Sequence, residues 1–592
     1  MQTLTIQALL AAYRARALTP ESHIDEVLTR IDQAPERNAW ITRLTREQVM
    51  GYVRALEGKS PDDLPLYGVP FAIKDNIDLA GVQTTAGCPE FGYVPERSAT
   101  VVHRLIEAGA VPIGKTNLDQ FATGLVGTRS PYGAGMNSFN DAYISGGSSS
   151  GSAIAVASGL VSFALGTDTA GSGRVPAAFN NIVGLKPSCG LISARGVVPA
   201  CRSLDCVSIF ALTSGDAERV LDVAKGFDAD DEFSRDITLT RGVAPRIRIG
   251  VPNADQLEFF GDRQYARLFD RSIERAGHIG AQIVELDFEP LFEAARLLYE
   301  GPWVAERYAA IEAFMADHSD ALHPVTRSII GKGSETSAVS AFKAQYRLKK
   351  LQRASQSLWQ QADFLMVPSA GTIYTIAQIN ADPIALNSNL GRYTNFVNLL
   401  DLAAIAIPAG FRTDGLPFGV TMIAPSGRDY ALIDIGARLH ESADLRMGAT
   451  SQELRASKTL PRLPAGHVAV AVCGAHLSGL PLNSQLTSRQ AFLLRATRTA
   501  PAYRFYALPG GPPKRPGLIR VEEGGASIDV EVWAVPESQL GSFVAGIPSP
   551  LGIGKVELED GSWCSGFICE GWAANGAEDI TRYRGWREFL AR

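Results

Sequence analysis

Helical spacing dominates the start of the chain. Ala17-Leu18-Thr19-Pro20-Glu21 offers a capping hydroxyl, a proline at the first helical position and an acid in the first turn. Val27, Leu28 and Ile31 then fall on one helix face, so a helix is predicted after Thr19. From Leu66 onward the texture changes to short apolar runs cut by glycine and proline. Gly68-Val69-Pro70-Phe71-Ala72-Ile73 and Val111-Pro112-Ile113-Gly114 alternate with helical stretches such as Val101 to Ala108. This alternation predicts an α/β fold.

Residues 141–190 are rich in Gly, Ser and Ala, yet a flexible linker would lack apolar order. Here Ile154-Ala155-Val156-Ala157 follows the Gly/Ser run and Val161 to Gly166 reads as a buried strand, so the glycines are positional. A second shift comes near 444–466. Asp444 to Lys458 is polar and charged, and Pro461, Pro464 and Gly466 follow, which places a first domain at 1–455 and a linker at 456–466. The strand-like runs His467 to Val472 and Ile528 to Trp533 then predict a smaller α+β domain at 467–592. There is no internal repeat.

Composition narrows the classes. A chain of 592 residues exceeds one ordinary core, and 46% apolar with 20% charged residues suits a soluble globular enzyme. The net charge of -6 and the scattered Lys and Arg argue against nucleic acid as a partner. The longest apolar run, Leu402 to Phe411, is far short of the roughly 20 residues a bilayer span needs, so no membrane association is expected. No signal peptide is read at the N-terminus. The seven cysteines are sparse, odd in number and without zinc-ligand spacing, so reduced thiols, a cytoplasmic location, no metal and no cofactor are expected.

A serine hydroxyl is a poor nucleophile until a base takes its proton. A search for a serine activated by a neighbouring histidine fails, since none of the six histidines before residue 460 adjoins a Gly/Ser turn. A neutral lysine is the other solution, and three segments fit it. Phe71-Ala72-Ile73-Lys74-Asp75-Asn76 puts a lysine after an apolar strand. Ser145-Gly146-Gly147-Ser148-Ser149-Ser150-Gly151-Ser152 is a serine-dense turn. Gly166-Thr167-Asp168-Thr169-Ala170-Gly171-Ser172-Gly173-Arg174 is a second, 24 positions on from Ser148 to Ser172.

Together these segments resemble the lysine motif and the two serine motifs of the amidase signature family. Asn395 to Phe411 and Gly415 to Val420 look like its closing strands. The resemblance implies a mixed central sheet covered by helices, with Ser172 as nucleophile, Ser148 as bridging serine and Lys74 as base, desolvated so that its amine is free. It also implies a cis Gly147–Ser148 peptide and an oxyanion hole from the N–H groups of Thr169, Ala170, Gly171 and Ser172. Asp168 and Arg174 flank the turn and are read as a structural pair. Ser150 and Ala170 stand where most of the family has glycine, which points to a subfamily.

Two further stretches narrow that subfamily. Leu298-Tyr299-Glu300-Gly301-Pro302-Trp303-Val304-Ala305-Glu306-Arg307-Tyr308 resembles the part of allophanate hydrolases that grips the substrate carboxylate, which implies Gly124, Tyr299 and Arg307 as substrate-binding residues. The Gly301-Pro302 break leaves open whether Tyr299 and Arg307 share a face. Val472 to Asn483, Tyr506 to Gly510 and Gly541 to Gly552 resemble the C-terminal domain of the same enzymes. The resemblance implies hydrolysis of allophanate to ammonia and N-carboxycarbamate, then decarboxylation in the second domain, with His476 serving that step. The two negative charges of that intermediate call for cationic or N–H donors, for which Arg495, Arg498 and Lys514 are unranked candidates. A homodimer acting on a small-molecule substrate is expected. The alternative is another amidase for small acidic amides, its C-terminal domain a dimerisation or binding module.

Overall fold

A computed structural model describes residues 5–241, 247–454, 463 and 466–592. The helix predicted after Thr19 spans Pro20–Gln33. The Thr19 hydroxyl accepts the Ser22 N–H and Ser22 Oγ accepts the Thr19 N–H, each at 3.2 Å. Ile24, Val27 and Ile31 point into the core.

Eleven strands of the first unit form one mixed sheet among the described residues. In chain order they are β1 (Trp40–Arg43), β2 (Pro70–Lys74), β3 (Val111–Thr116), β4 (Phe163–Asp168), β5 (Val183–Lys186), β6 (Cys206–Ala211), β7 (Arg248–Pro252), β8 (Gln282–Leu286), β9 (Phe364–Pro368), β10 (Leu402–Phe411) and β11 (Pro417–Pro425). Their order across the sheet is β1-β3-β2-β4-β6-β5-β10-β11-β9-β7-β8. Strands β3, β2 and β4 run parallel, as do β9, β7 and β8, while the pairs from β4 through β6, β5, β10 and β11 to β9 are antiparallel. Every residue of β2, β3, β4, β5, β6 and β9 is buried, without the alternation of a half-exposed strand, because helices cover both faces. The apolar run Leu402 to Phe411 is thus the long central strand β10, against which the helix Asp429–Glu441 packs.

The Gly/Ser-rich block is ordered. Ser150–Ala157 is a fully buried helix, and Val161 to Gly166 leads into β4. The helix runs so close to its neighbours that a side chain at Gly151 would place Cβ 2.1 Å from the Ala39 carbonyl oxygen and 2.6 Å from the Asn117 nitrogen.

Packing divides the chain into two compact units, the first over most of residues 1–456 and the second over residues 457–592. Apart from Leu463 and Gly466, the expected linker at 456–466, including Lys458, Pro461 and Pro464, lies outside the described residues. In the second unit β12 (His467–Val472), β13 (Phe492–Arg498), β14 (Tyr503–Leu508), β15 (Arg515–Arg520), β16 (Asp529–Pro536), β17 (Leu551–Glu557), β18 (Trp563–Cys569) and β19 (Glu578–Asp579) form two sheets. One has the order β13-β16-β12-β18-β17 and the other β15-β14-β19. Its own core gathers Val470, Tyr503, Phe505, Trp533 and Trp586.

Gly151→Ala is expected to lower the stability of the first unit by about 1–3 kcal/mol, the usual cost of overpacking a filled core. Urea unfolding followed by tryptophan fluorescence measures it. An unshifted midpoint would mean that the 150–157 helix can move away from Ala39 freely.

Candidate active site

Parallel pairing of β2 with β4 puts the C-terminal ends of both strands side by side, with Ile73 opposite Leu165. Side chains leaving those ends converge, as they do above the carboxyl edge of parallel sheets generally. Lys74 is the last residue of β2, and its fully buried Nζ donates to Ser148 Oγ and to Thr167 Oγ1, each at 2.7 Å. The chain reaches Ser148 through a cis Gly147–Ser148 peptide, and only glycine fits at 147 because a Cβ there would meet Asp119 Oδ2 at 2.1 Å.

Burial lowers the Lys74 pKa to about 7, against the opposing fields of Asp119, Asp205 and Asp168 and with help from Arg307. No carboxylate forms an ion pair with it among the described residues. A second lysine, Lys115, is equally buried one strand away, but it pairs with Asp75 at 3.1 Å. Two neighbouring buried amines thus have opposite surroundings, hydroxyls for one and a carboxylate for the other.

Ser172 sits on the turn after β4, and Asp168 builds that turn. Its two carboxylate oxygens accept the N–H groups of Gly171 and Gly173 and the Arg174 guanidinium, all at 2.9 Å. Burial works against the Asp168 charge, but Arg174, Lys186 and the Gly173 N–H outweigh it and hold the carboxyl below its usual range. The pair read from the flanking residues is therefore the brace of the turn. It also revises the expected oxyanion hole. The Gly171 N–H is engaged by Asp168, and among the described residues the free donors of the turn are the N–H groups of Thr169, Ala170 and Ser172. Gly171 adopts φ 131°, and a Cβ there would strike Thr394 Oγ1 at 2.5 Å. Ala170 keeps its methyl because it packs on Cys201, Leu204, Leu298 and Leu399.

Ser172 Oγ lies 3.5 Å from the Gly124 carbonyl, and the Ser148 carbonyl accepts the Asp119 N–H at 3.1 Å, so both serines abut the 119–124 loop. Phe121 and Ala122 hold left-handed φ values of 49° and 50°, a conformation that costs non-glycine residues about 1–3 kcal/mol each and recurs at functional sites. Asp119 secures the loop by accepting the N–H groups of Gly127 and Arg129 at 2.9 Å.

The Gly301-Pro302 break ends one helix at Glu300 and starts the next at Trp303, and the turn folds Tyr299 under Arg307. The guanidinium carbon stands 5.3 Å from the Tyr299 ring centre. Arg307 is 2% exposed, donates to Thr123 Oγ1 at 3.2 Å and to the Tyr299 hydroxyl at 3.4 Å, and leaves Nε without a partner. Burial opposes its charge, but Tyr299, Cys201, Asp205 and Glu306 together raise its pKa. Glu306 turns away and is taken by the Ser203 N–H at 2.6 Å and by the Cys201 thiol at 3.0 Å. Lys74, Ser148, Ser172, Gly124, Tyr299 and Arg307 are thus gathered in one place. Thr167, Thr123 and Asp119 belong there too.

In the second unit His476 follows β12 and lines a cavity of about 30 Å³ with Cys473, Arg515, Leu551 and Phe567. Its ring stacks on Phe567 at 4.9 Å, and Nε2 donates to Gln485 Oε1 at 3.0 Å. Burial lowers its pKa against the hydrogen bond to Gln485, which favours the neutral ring. Arg515, which the sequence had not singled out, is the arginine at this cavity. Arg495 and Arg498, proposed from sequence, are held by Asp560 and Asp529 instead, at 2.7 and 2.9 Å, and Lys514 is exposed.

Residues 23–433 match the family model for amidases, and residues 468–591 match the model for the allophanate hydrolase C-terminal domain. Urea amidolyase from Saccharomyces cerevisiae is 45% identical over 96% of this chain, which spans about a third of that relative, 32% of its length. Urea amidolyase from Lachancea kluyveri is likewise 45% identical, over 97% of this chain and 32% of its own length. The crystal structure of Kluyveromyces lactis allophanate hydrolase superimposes with a TM-score of 0.84 at 43% identity, covering 99% of both chains.

A base whose pKa is lowered to about 7 is a free amine above that pH and an ammonium below it. Amide hydrolysis is therefore expected to rise with pH through a midpoint near 7 and to level off above it, read as initial rate against pH. His323→Gln should leave the midpoint where it is. A midpoint that vanished with that imidazole would take the limb away from Lys74.

Proposed function

The chain belongs to the amidase family, and on that premise we propose that it hydrolyses allophanate, releasing ammonia and N-carboxycarbamate at the first unit. The observation that carries this reading is Arg307, a buried guanidinium that no carboxylate of the described residues pairs with and that faces the loop contacted by Ser172. A buried unpaired charge is costly, and an anionic substrate supplies the missing partner. The match to Kluyveromyces lactis allophanate hydrolase over nearly the whole chain points the same way.

In this mechanism Ser172 Oγ attacks the amide carbonyl while its proton passes to Ser148, whose own proton goes to the Lys74 amine. The tetrahedral oxyanion is met by the N–H groups of Thr169 and Ala170, donors of a kind whose loss costs about 2.7–4 kcal/mol. Collapse expels ammonia, which takes the proton back from Lys74 through Ser148. Water then enters by the same relay and frees the acid and Ser172. Tyr299 and Arg307 hold the far carboxylate, and Gly124 brings the loop backbone close without a side chain.

The second unit decarboxylates the product in this proposal, with His476 and Arg515 as its groups. The cavity as it stands accommodates a water-sized occupant, so the step requires the wall at Phe567 and Leu551 to open. A cytoplasmic homodimer completes the reading. The seven cysteines stand as free thiols, which favours a reducing compartment, and among the described residues no helix is long and apolar enough to cross a membrane.

Arg307→Ala is expected to raise KM for allophanate by roughly 5- to 150-fold, the equivalent of about 1–3 kcal/mol for leaving a charged partner unsatisfied, and to change turnover of biuret, an uncharged analogue, much less. Ser172→Ala is the inactive control. Equal losses on both substrates would make Arg307 structural, and a wild type that cleaves biuret but not allophanate would overturn the substrate.

For the second step, His476→Ala should release the first ammonia at the normal rate while N-carboxycarbamate accumulates. Carbon-13 NMR at mildly alkaline pH, where spontaneous decarboxylation is slow, follows it directly. Equal decay of the intermediate in wild type and variant would leave the second unit as a binding module.

A further inference from the structure

Lys186, the last residue of β5, is fully buried and lies outside the catalytic relay. Its ammonium has three protons to place. One goes to the Pro187 carbonyl at 2.7 Å and the other two face sulfur, Cys206 Sγ at 3.4 Å and Cys189 Sγ at 3.7 Å. No carboxylate pairs with it among the described residues. A buried cation without a counter-charge is strongly disfavoured, and the two sulfurs are the groups placed to supply one. The two sulfurs are themselves 3.5 Å apart, in contact but unbonded. Cys189 is half-buried as a residue, whereas Cys206, the first residue of β6, is buried.

We propose that Cys189 and Cys206 form an oxidisable dithiol, with Lys186 as its built-in counter-ion, that closes to a disulfide on reaction with a hydroperoxide and so ties the amidase turn to redox state. The thiolate of Cys189 attacks the peroxide, the O–O bond breaks, hydroxide leaves and takes up a proton as water, and a sulfenic acid remains. The Cys206 sulfur then attacks the sulfenic sulfur, giving its proton to the departing hydroxide, which leaves as a second water. Two thiols are oxidised and one hydroperoxide is reduced.

Three observations assign the roles. The hydrogen bond from Cys206, joined by the Lys186 charge and set against burial, brings the Cys189 thiol down to about 7, and the same contact with burial drives Cys206 well above its ordinary value. Arg235 adds to the lowering and Asp401 opposes it. Burial pushes up all five other cysteines, Cys88, Cys201, Cys473, Cys564 and Cys569, which marks the 189–206 pair as the reactive one. Finally, Cys206 lies directly opposite Asp168 across the β4–β6 ladder. Oxidation removes the thiolate beside Lys186, and the ammonium is left to compete for Asp168, the carboxylate that shapes the Ser172 turn.

The test treats the full-length protein with a small excess of hydrogen peroxide near pH 7.5 and then digests it without reduction. Expected are a peptide pair cross-linked through Cys189 and Cys206, at least a several-fold loss of amidase activity, and recovery of both thiols and rate with dithiothreitol. Cys206→Ser should stop at a dimedone-reactive sulfenic acid on Cys189, and Cys189→Ser, which lacks the thiolate from the start, should begin at a lower rate and lose no more of it in peroxide. Absence of the linked peptide in native protein, or full activity of the linked protein, overturns the proposal.

Discussion

A lysine amine sealed from water and given only hydroxyls to bond is the constraint around which the first unit is organised. Three lysines of the described residues are completely buried, and each has a different answer to the loss of water. Lys115 is matched by the Asp75 carboxylate. Lys186 borrows charge from sulfur. Lys74 has only Ser148 and Thr167, so the cheapest solution is to lose its proton, and the free amine that results is what the proposed mechanism uses as base. A carboxylate in contact with Lys74 would satisfy it electrostatically and end its usefulness. Asp119, Asp168 and Asp205 all come near enough to be felt, yet each is already saturated by backbone N–H groups of a neighbouring turn.

Those three carboxylates do the shaping. Asp119 folds the loop carrying Thr123 and Gly124, Asp168 folds the turn carrying Ser172, and Asp205 accepts the Ala200 N–H at 2.8 Å and the Thr169 hydroxyl. Acceptors thus fix the backbone, while hydroxyls and free N–H groups are left facing the substrate. Asn398 completes the frame from the far side by donating to the Asp168 and Leu204 carbonyls at 2.7 and 2.9 Å.

Much of this was legible in the sequence. The helix at Thr19, the strand after Gly68, the ordered Gly/Ser block and the strand Leu402 to Phe411 follow from local patterns that tertiary packing reinforces. Lys74, Ser148 and Ser172 could be proposed together because motif spacing survives without knowledge of the fold. What escaped depends on register or reach. Thr167 was quoted as part of a motif, but its contact with Lys74 exists only because β2 and β4 pair in parallel. The Gly171 N–H was counted as a free donor because the bond to Asp168, three residues earlier, is a matter of turn geometry. In the second unit Arg515 was passed over for Arg495 and Arg498, since nothing in the one-dimensional pattern distinguishes an arginine beside a cavity from one paired across a sheet.

The order of strands has a consequence for how the protein comes into being. Lys74, Ser148 and Ser172 all emerge from the ribosome early, but β5 gains its second neighbour only when β10 arrives, and Arg174 and Asp168 reach their partners Thr394 and Asn398 more than two hundred residues later. Such long-range closure is slow and late relative to local helix formation. During synthesis the growing chain therefore carries Lys74, Ser148 and Ser172 before the turn that holds Ser172 has its distant partners Thr394 and Asn398.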